Sequence, residues 1–467
     1  MVTTQRSAAL GLTALDDETT VDELPLAGEL PTWLSGSLLR TGPATWQAGR
    51  TRLRHWFDGL AMLHRFTIAD GSVSYANRYL DSRTRRASNS AGELTYGQFA
   101  TDPCRSIFQR VQALFSTETT DNANVNIARL GERFTALTES AIPVEFDRRT
   151  LQAAGVPHRA PGQLTTAHPH YERGTGAMLN YAAKLGRRSS YRLYRVDERG
   201  TDVLASIPVR RPSYMHSFGM TERWFVLVEF PLVVNPARLA LSGQPFIENY
   251  RWEPERGTRI TLVDRQTGEV GPRWTTEPFF AFHHVNAYDD GEDVVVDLCA
   301  YPDSRIIQDL YLDRIHELLR EDGLCFARPH LARLRLRENG AHLEQIGRAN
   351  IDLPRINAGC TATRHRYVWG VGMGTGWVDH LVKIDTADGS ARFWCEPDQY
   401  PGEPVFVRRP GAEQEDDGVL LSVVLDAARG HSALLVLDAA TLRPLARAAV
   451  PHHIPHGFHG RFDEGSL

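Results

Sequence analysis

Apolar and polar residues alternate over short stretches along most of this chain, and the alternation repeatedly breaks at an acidic or glycine-containing turn before it resumes. H-R-F-T-I-A-D-G-S-V-S-Y, from His64 to Tyr75, is the first case: two stretches of period-two patterning flank an Asp70-Gly71 turn. The same order of strand, turn and strand recurs around Asp147, Asp197, Asp264, Asn339, Asp385 and Asp438, which makes seven hairpins. Almost no long helical periodicity lies between them. Seven similar hairpins spaced by tens of residues predict an all-β repeat architecture, a seven-bladed β-propeller in which each hairpin belongs to one blade. The rival is a large all-β chain in which such turns recur by chance.

Three stretches depart from the strand pattern. Residues 103–117 put Ile107, Phe108, Val111, Leu114 and Phe115 on one helical face, which suits a helix packed on the barrel or one lying in a membrane interface. Residues 231–247 form a second apolar insertion of the same two-sided kind, and Ser304 to Asp322, rich in Leu and Ile, reads as a helical cover over the propeller. The organisation expected is an N-terminal arm over residues 1–30 and a single propeller domain over 31–467 with dome insertions.

Composition narrows the function. A formal net charge of −5 over 467 residues provides no basic footprint for nucleic acid. Cys104, Cys299, Cys325, Cys360 and Cys395 are odd in number, scattered and never in a C-x-x-C pair, which argues against a disulfide framework or a thiolate zinc site and fits a reducing cytoplasm. The N-terminus has one short apolar run that soon meets acids, and no stretch approaches the roughly 18 apolar residues of a spanning helix. A cytoplasmic protein is expected.

The chemistry enters through histidine. F-F-A-F-H-H-V-N-A-Y-D-D, from Phe279 to Asp290, places a histidine pair on an aromatic strand. Each interval between hairpins, and the segment after the last, contains one polar residue in an apolar strand context: Glu139, His168, His216, His283, Asp352, Glu403 and His459. In a propeller the innermost strands line the axis, so residues far apart in sequence can meet there. Neutral imidazole is the commonest metal ligand, and four of them leave a divalent ion its full charge, which favours Fe(II) with open positions for O2 over closed, thiolate-rich zinc sites. A ligating imidazole nearly always donates its other N–H to a carboxylate, carbonyl or water. Three acids for four histidines leave one histidine without a carboxylate.

The motifs resemble those of the carotenoid cleavage oxygenase family, in its animal-type branch. They run from L-S-G-S-L-L-R-T-G-P (Leu34 to Pro43) and H-W-F-D-G-L-A-M-L-H (His55 to His64), through T-D-N-A-N-V-N, A-H-P-H, P-S-Y-M-H-S-F-G and F-H-H-V-N-A-Y-D-D, to E-D-D-G-V-L-L-S-V-V and I-P-H-G-F-H-G-R-F. The resemblance implies a seven-bladed propeller with a helical dome over an axial Fe(II) held by His168, His216, His283 and His459. It also implies that Glu139, Asp352 and Glu403 stand behind three of these, leaving His168 without a carboxylate. His283 rather than His284 matches the ligand position because the pattern is H-x-x-N-A, and period-two alternation turns His284 away; His456 falls outside the matching position. Where the family usually has glutamate this chain has Asp352, one methylene shorter, so it is not expected to reach His283 directly and a bridging water would restore the contact.

The activity implied is O2-dependent cleavage of a conjugated C=C bond of a carotenoid, with central 15,15' scission of β-carotene to retinal favoured by the animal-type branch. No acid–base residue is named beyond the metal centre. Phe57, Tyr96, Phe99, Thr138 and Phe282 are the expected substrate-tunnel residues, and a water-insoluble substrate would be drawn from a membrane by a peripherally attached protein. Four other readings stand beside this one. They are cleavage of an apocarotenoid, a stilbenoid dioxygenase, an O2-independent retinoid isomerohydrolase, and a propeller that only binds other proteins. Stilbenoid enzymes typically carry lysine at the position of Thr138, which counts against that reading.

Overall fold

The computed structural model describes residues 8–103, 119–321, 324–374 and 376–465, so the amphipathic stretch expected at 103–117 lies, from 104 onward, outside the described residues. Seven antiparallel sheets of four to six strands account for most of the chain, one per blade of a β-propeller. In the second blade the strands run outward in chain order, Asn126–Leu130, Arg133–Leu137, Val144–Phe146 and Ala153–Gly155. The fifth blade repeats this with Phe280–Asp290, Asp293–Tyr301, His330–Arg337 and Gly340–Asn350.

All seven predicted hairpins form, and each occupies the same place, joining the third strand of its blade to the fourth. Their turn residues explain the regularity. Asp70 and Gly71 have φ of 50° and 75°, the left-handed pair that a two-residue hairpin loop needs. Asp147, Asp264 and Asp438 use a side-chain oxygen to accept the backbone N–H three residues on, at 2.7, 3.0 and 2.8 Å, so the aspartate closes the turn itself. Burial follows strand position. Every residue of Gly418–Asp426, a second strand, is buried, whereas Gly340–Asn350, a fourth strand, is mostly half-buried or exposed. Middle strands sandwiched between neighbouring blades must be apolar on both faces, which is why they read as near-continuous apolar runs.

The ring closes through its C-terminus. Gly460–Asp463 pairs with Gly36–Thr45 and becomes the innermost strand of the first blade. Asp463, buried, receives Arg129 at 2.5 Å and also Arg148, both from the second blade. Residues 8–30, expected as an arm, lie against this closure. Thr20–Val21 pairs with the edge of the first blade, and Leu26–Gly28 extends the seventh along Pro444–Ala449.

Insertions between strands gather into a dome. The short helix Trp56–Asp58 meets Leu310, whose carbonyl accepts the Trp56 N–H at 3.0 Å, and Ile247 donates to the Phe99 carbonyl at 3.0 Å. The cover expected from Ser304 to Asp322 is two short helices, Arg305–Asp309 and Leu312–Leu318, broken at Leu310 and Tyr311. The 231–247 insertion is a hairpin, Leu232–Val234 with Tyr250–Trp252, that encloses the helix Pro236–Leu241. Asn235 caps that helix and Leu241 stands 77% exposed at its end. No helix among the described residues is long and apolar enough to cross a membrane. Cys299, Cys325, Cys360 and Cys395 are free.

Candidate metal centre

His168, His216, His283 and His459 come from four different blades and present their ring nitrogens to one point, all within 4.8 Å of one another. His168 lies between the two short inner segments of the third blade, Leu164–Thr165 and His170–Tyr171. His216 precedes the inner strand of the fourth blade, His283 sits in that of the fifth, and His459 precedes the closing strand of the first. Asp352 begins the inner strand of the sixth blade, and Glu403 lies between the two short inner segments of the seventh, Gln399–Pro401 and Val405–Arg408. Glu139 differs. Its blade, the second, contributes it from the segment joining the second and third strands, so the rule of one residue per blade holds while that of innermost strands fails once.

The acids stand where orientation requires them. His216 Nδ1 lies 2.8 Å from Glu139 Oε1, His283 Nδ1 2.5 Å from Asp352 Oδ1, and His459 Nδ1 2.6 Å from Glu403 Oε1. The shorter aspartate therefore reaches its histidine directly, against the expected bridging water. The reason lies in the backbone. The pairing register shifts between Asp352 and Arg355, Leu353 takes φ of 46°, and a bulge of this kind re-aims the side chains beside it. Tyr301 O–H donates to the other Asp352 oxygen at 2.5 Å, and Tyr214 O–H donates to both Glu139 oxygens at 2.9 and 3.0 Å. Among the described residues no carboxylate contacts His168; its backbone N–H is fixed by Thr166 Oγ1 at 2.9 Å.

This arrangement tests whether a metal fits. With Nδ1–H donated to a carboxylate, the Nε2 of His216, His283 and His459 is a bare lone pair. Yet His283 Nε2 and His459 Nε2 are 3.1 Å apart, as are those of His168 and His216. Facing lone pairs at that distance repel unless a cation lies between them, so the donor set fits a metal ion. Burial lowers the pKa of His168 well below the ordinary imidazole range. It lowers that of His459 to about 4 against the opposing pull of Glu403, so both rings offer lone pairs at neutral pH. Glu403 is buried, but Arg355 and His459 hold its carboxyl far below the usual range.

His284 points away, as alternation requires, with Nδ1 at 2.8 Å from Ser217 Oγ, and His456 is tied to the Ala8 carbonyl at 2.9 Å outside the centre. An apolar cavity under the dome reaches His216, His283 and His459. Phe57, Phe99, Thr138 and Phe282 line it. Tyr96 does not: its ring stacks under the Arg83 guanidinium at 4.7 Å. Trp56, Leu353, Trp377 and Phe458 line the cavity and were not foreseen. Nor were Tyr214, Tyr301 and Arg355. Only Tyr214 carried a usable signal, two residues before His216 and so on the same side of an extended segment.

A sequence profile of the family described as retinal pigment epithelial membrane protein matches residues 12–464. The carotenoid isomerooxygenase of Galleria mellonella is 35% identical, covering 94% of this chain and 92% of its own length. The mitochondrial carotenoid-cleaving dioxygenase of Macaca fascicularis is 33% identical, covering 95% and 93%. The human β,β-carotene 15,15'-dioxygenase is 31% identical, covering 94% and 91%. Among solved structures, a variant of the Synechocystis apocarotenoid oxygenase superposes with a TM-score of 0.87 at 23% identity over 99% of both chains. The cobalt-substituted form of that oxygenase gives 0.85, also at 23% identity and over 99% of both chains.

Proposed function

The chain belongs to the carotenoid cleavage oxygenase family, and on that premise we propose that it is an Fe(II) dioxygenase that splits a conjugated C=C bond of a carotenoid with O2. The substrate we propose is β-carotene, cut at its central 15,15' bond to retinal. The observation that carries the reading is the four-histidine centre opening directly onto an apolar cavity. Relatives named for three different carotenoid activities stand at 31 to 35% identity, so the bond cut is a matter for experiment.

Iron held by His168, His216, His283 and His459 would supply O2 activation, its double charge undiminished by any directly ligating carboxylate. The chain's own residues do the rest. Glu139, Asp352 and Glu403 fix the tautomer and tilt of three imidazoles through their Nδ1–H bonds. Tyr214 and Tyr301 hold two of those carboxylates in place. Phe57 and Phe282, in T-shaped contact at 5.7 Å, form an apolar wall beside His216 that can grip a flat polyene and exclude water from the reacting bond. Regioselectivity is then positional, set by how far the polyene slides past the histidines. No side chain is needed as general acid or base.

A carotenoid must be taken from a lipid phase, and we propose peripheral attachment to a membrane from the cytoplasmic side, with Leu241 at the tip of the 231–247 insertion among the contacts. The test of the activity is aerobic incubation of the Fe(II)-loaded protein with detergent-solubilised β-carotene, against an anaerobic control. Oxygen-dependent retinal as the sole aldehyde is the expected result. Aldehydes of other lengths would refute central cleavage, and O2-independent turnover of a retinyl ester with no cleavage of β-carotene would favour isomerohydrolase chemistry instead.

A further inference from the structure

The three carboxylates behind the histidines are held in two different ways. Glu139 and Asp352 each accept a neutral phenolic O–H. Glu403 instead sits in the fork of a guanidinium: Arg355 Nε donates to Oε1 at 2.8 Å and Nη2 to Oε2 at 2.9 Å. Arg355 Nη2 also donates to the Gly460 carbonyl at 2.6 Å, so the same side chain grips the residue after His459. The Glu403 side chain is fully buried.

The charges at this centre add up in a particular way. Four neutral imidazoles, a divalent ion and three carboxylates would leave a net single negative charge, and enclosing an uncompensated charge is costly. The Arg355 guanidinium, bonded to Glu403, offsets that charge within the bonded set, and the buried Arg40 adds a further positive charge behind it. With a trivalent ion the same set would be positive by one. We propose that Arg355 is the charge-setting residue of this centre, tuning the four-histidine site for a divalent over a trivalent ion. This rests on the metal-centre reading above. Arg40, also buried, stands one layer behind, donates to the Phe458 carbonyl at 3.0 Å and bonds none of the three carboxylates. It is common to every variant below and cancels from the comparison.

The test uses full-length protein and two redox-inert probes, Co(II) and Ga(III), with affinities measured by chelator competition. Arg355→Gln removes the charge and keeps a hydrogen-bond donor; the ratio of Co(II) to Ga(III) affinity is expected to fall about tenfold or more, equivalent to about 59 mV for the one-electron iron couple. Arg355→Lys keeps the charge and is expected to leave the ratio near that of the wild type. Glu403→Gln keeps Arg355 and removes a negative charge, so it is expected to move the ratio the opposite way, which gives a second reading should Arg355→Gln fold poorly. The visible spectrum of the Co(II) form reports whether the four imidazoles keep their arrangement. An unchanged ratio in Arg355→Gln, or an equal fall in Arg355→Lys, would overturn charge setting and leave Arg355 a purely steric clamp. A wild-type protein that binds neither ion overturns the metal centre itself, a failure distinguishable from the other two.

Discussion

At the scale of single residues, one methylene shows how the backbone compensates for a side chain. Asp352 stands where a longer acid is usual, yet it bonds His283 directly at 2.5 Å because the strand bulges at Leu353. Its oxygens are fully used, by His283, by Tyr301 and by the Leu353 N–H at 2.9 Å. Asp352→Asn keeps the size but leaves one acceptor oxygen where there were two, so its amide NH2 meets either His283 Nδ1–H or Tyr301 O–H, donor against donor. Metal affinity is expected to drop by about 10- to 100-fold, with activity at limiting iron falling in step, as measured by chelator competition and turnover on one preparation. Affinity equal to wild type would show that His283 does not depend on this acid. Asp352 itself was legible in the sequence through the family resemblance; the bulge that delivers it was not, because a register shift depends on the partner strand.

At the scale of elements, the closing strand joins stability to the site. Gly460–Asp463 completes the first blade and begins one residue after His459. Arg129 and Arg148 clamp its far end through Asp463, whereas Arg40 and Arg355 hold the carbonyls on either side of His459. Asp463→Asn would leave two guanidinium groups facing a neutral amide. Breaking a buried pair costs roughly 3–5 kcal/mol, and since both arginines are partly exposed the loss is expected near the lower end, about 3 kcal/mol, in urea unfolding. Because the same strand fixes His459, cobalt should also leave this variant faster than the wild type. A large loss of stability with an unchanged cobalt release rate would separate ring closure from ligation. The hairpin turns, by contrast, were readable from local chemistry, since Asp147, Asp264 and Asp438 close their own turns and Asp70 and Gly71 take the left-handed pair.

At the scale of the whole molecule, the interior holds many neutral histidines outside the metal centre. Burial lowers His55, His64 and His284 to about 3 and His170 and His456 to about 4. In the unfolded chain each titrates near 6.5. The fold therefore refuses protons that the unfolded chain accepts below that value. Their contribution to stability is intact above pH 6.5 and is lost as pH falls from there toward 3 to 4, each costing about 1.4 kcal/mol per pH unit once well below 6.5. Asp58 works the other way. Burial pushes its carboxyl up to about 6 despite its hydrogen bonds, so its contribution falls as pH rises from about 4 to about 6. Five groups outweigh one, and the melting temperature is expected to fall steeply between pH 6.5 and 5. A flat profile over that range in calorimetry would contradict the buried, neutral state of these rings.

What the sequence determined by itself was whatever depends on neighbours along the chain. Period-two alternation and the turn residues were enough for the seven blades and for turning His284 away, and the motifs shared with the family were enough for the four histidines. Tertiary structure alone decided what depends on neighbours across blades. It brings Tyr301 from the second strand of the fifth blade onto Asp352 of the sixth, lays Arg355 of the sixth blade against Glu403 of the seventh, and turns Tyr96 out of the cavity toward Arg83. The physical reason is the closed ring. Each axial group is positioned by strands tens to hundreds of residues away, and a buried charge is balanced by whichever side chain the fold places beside it.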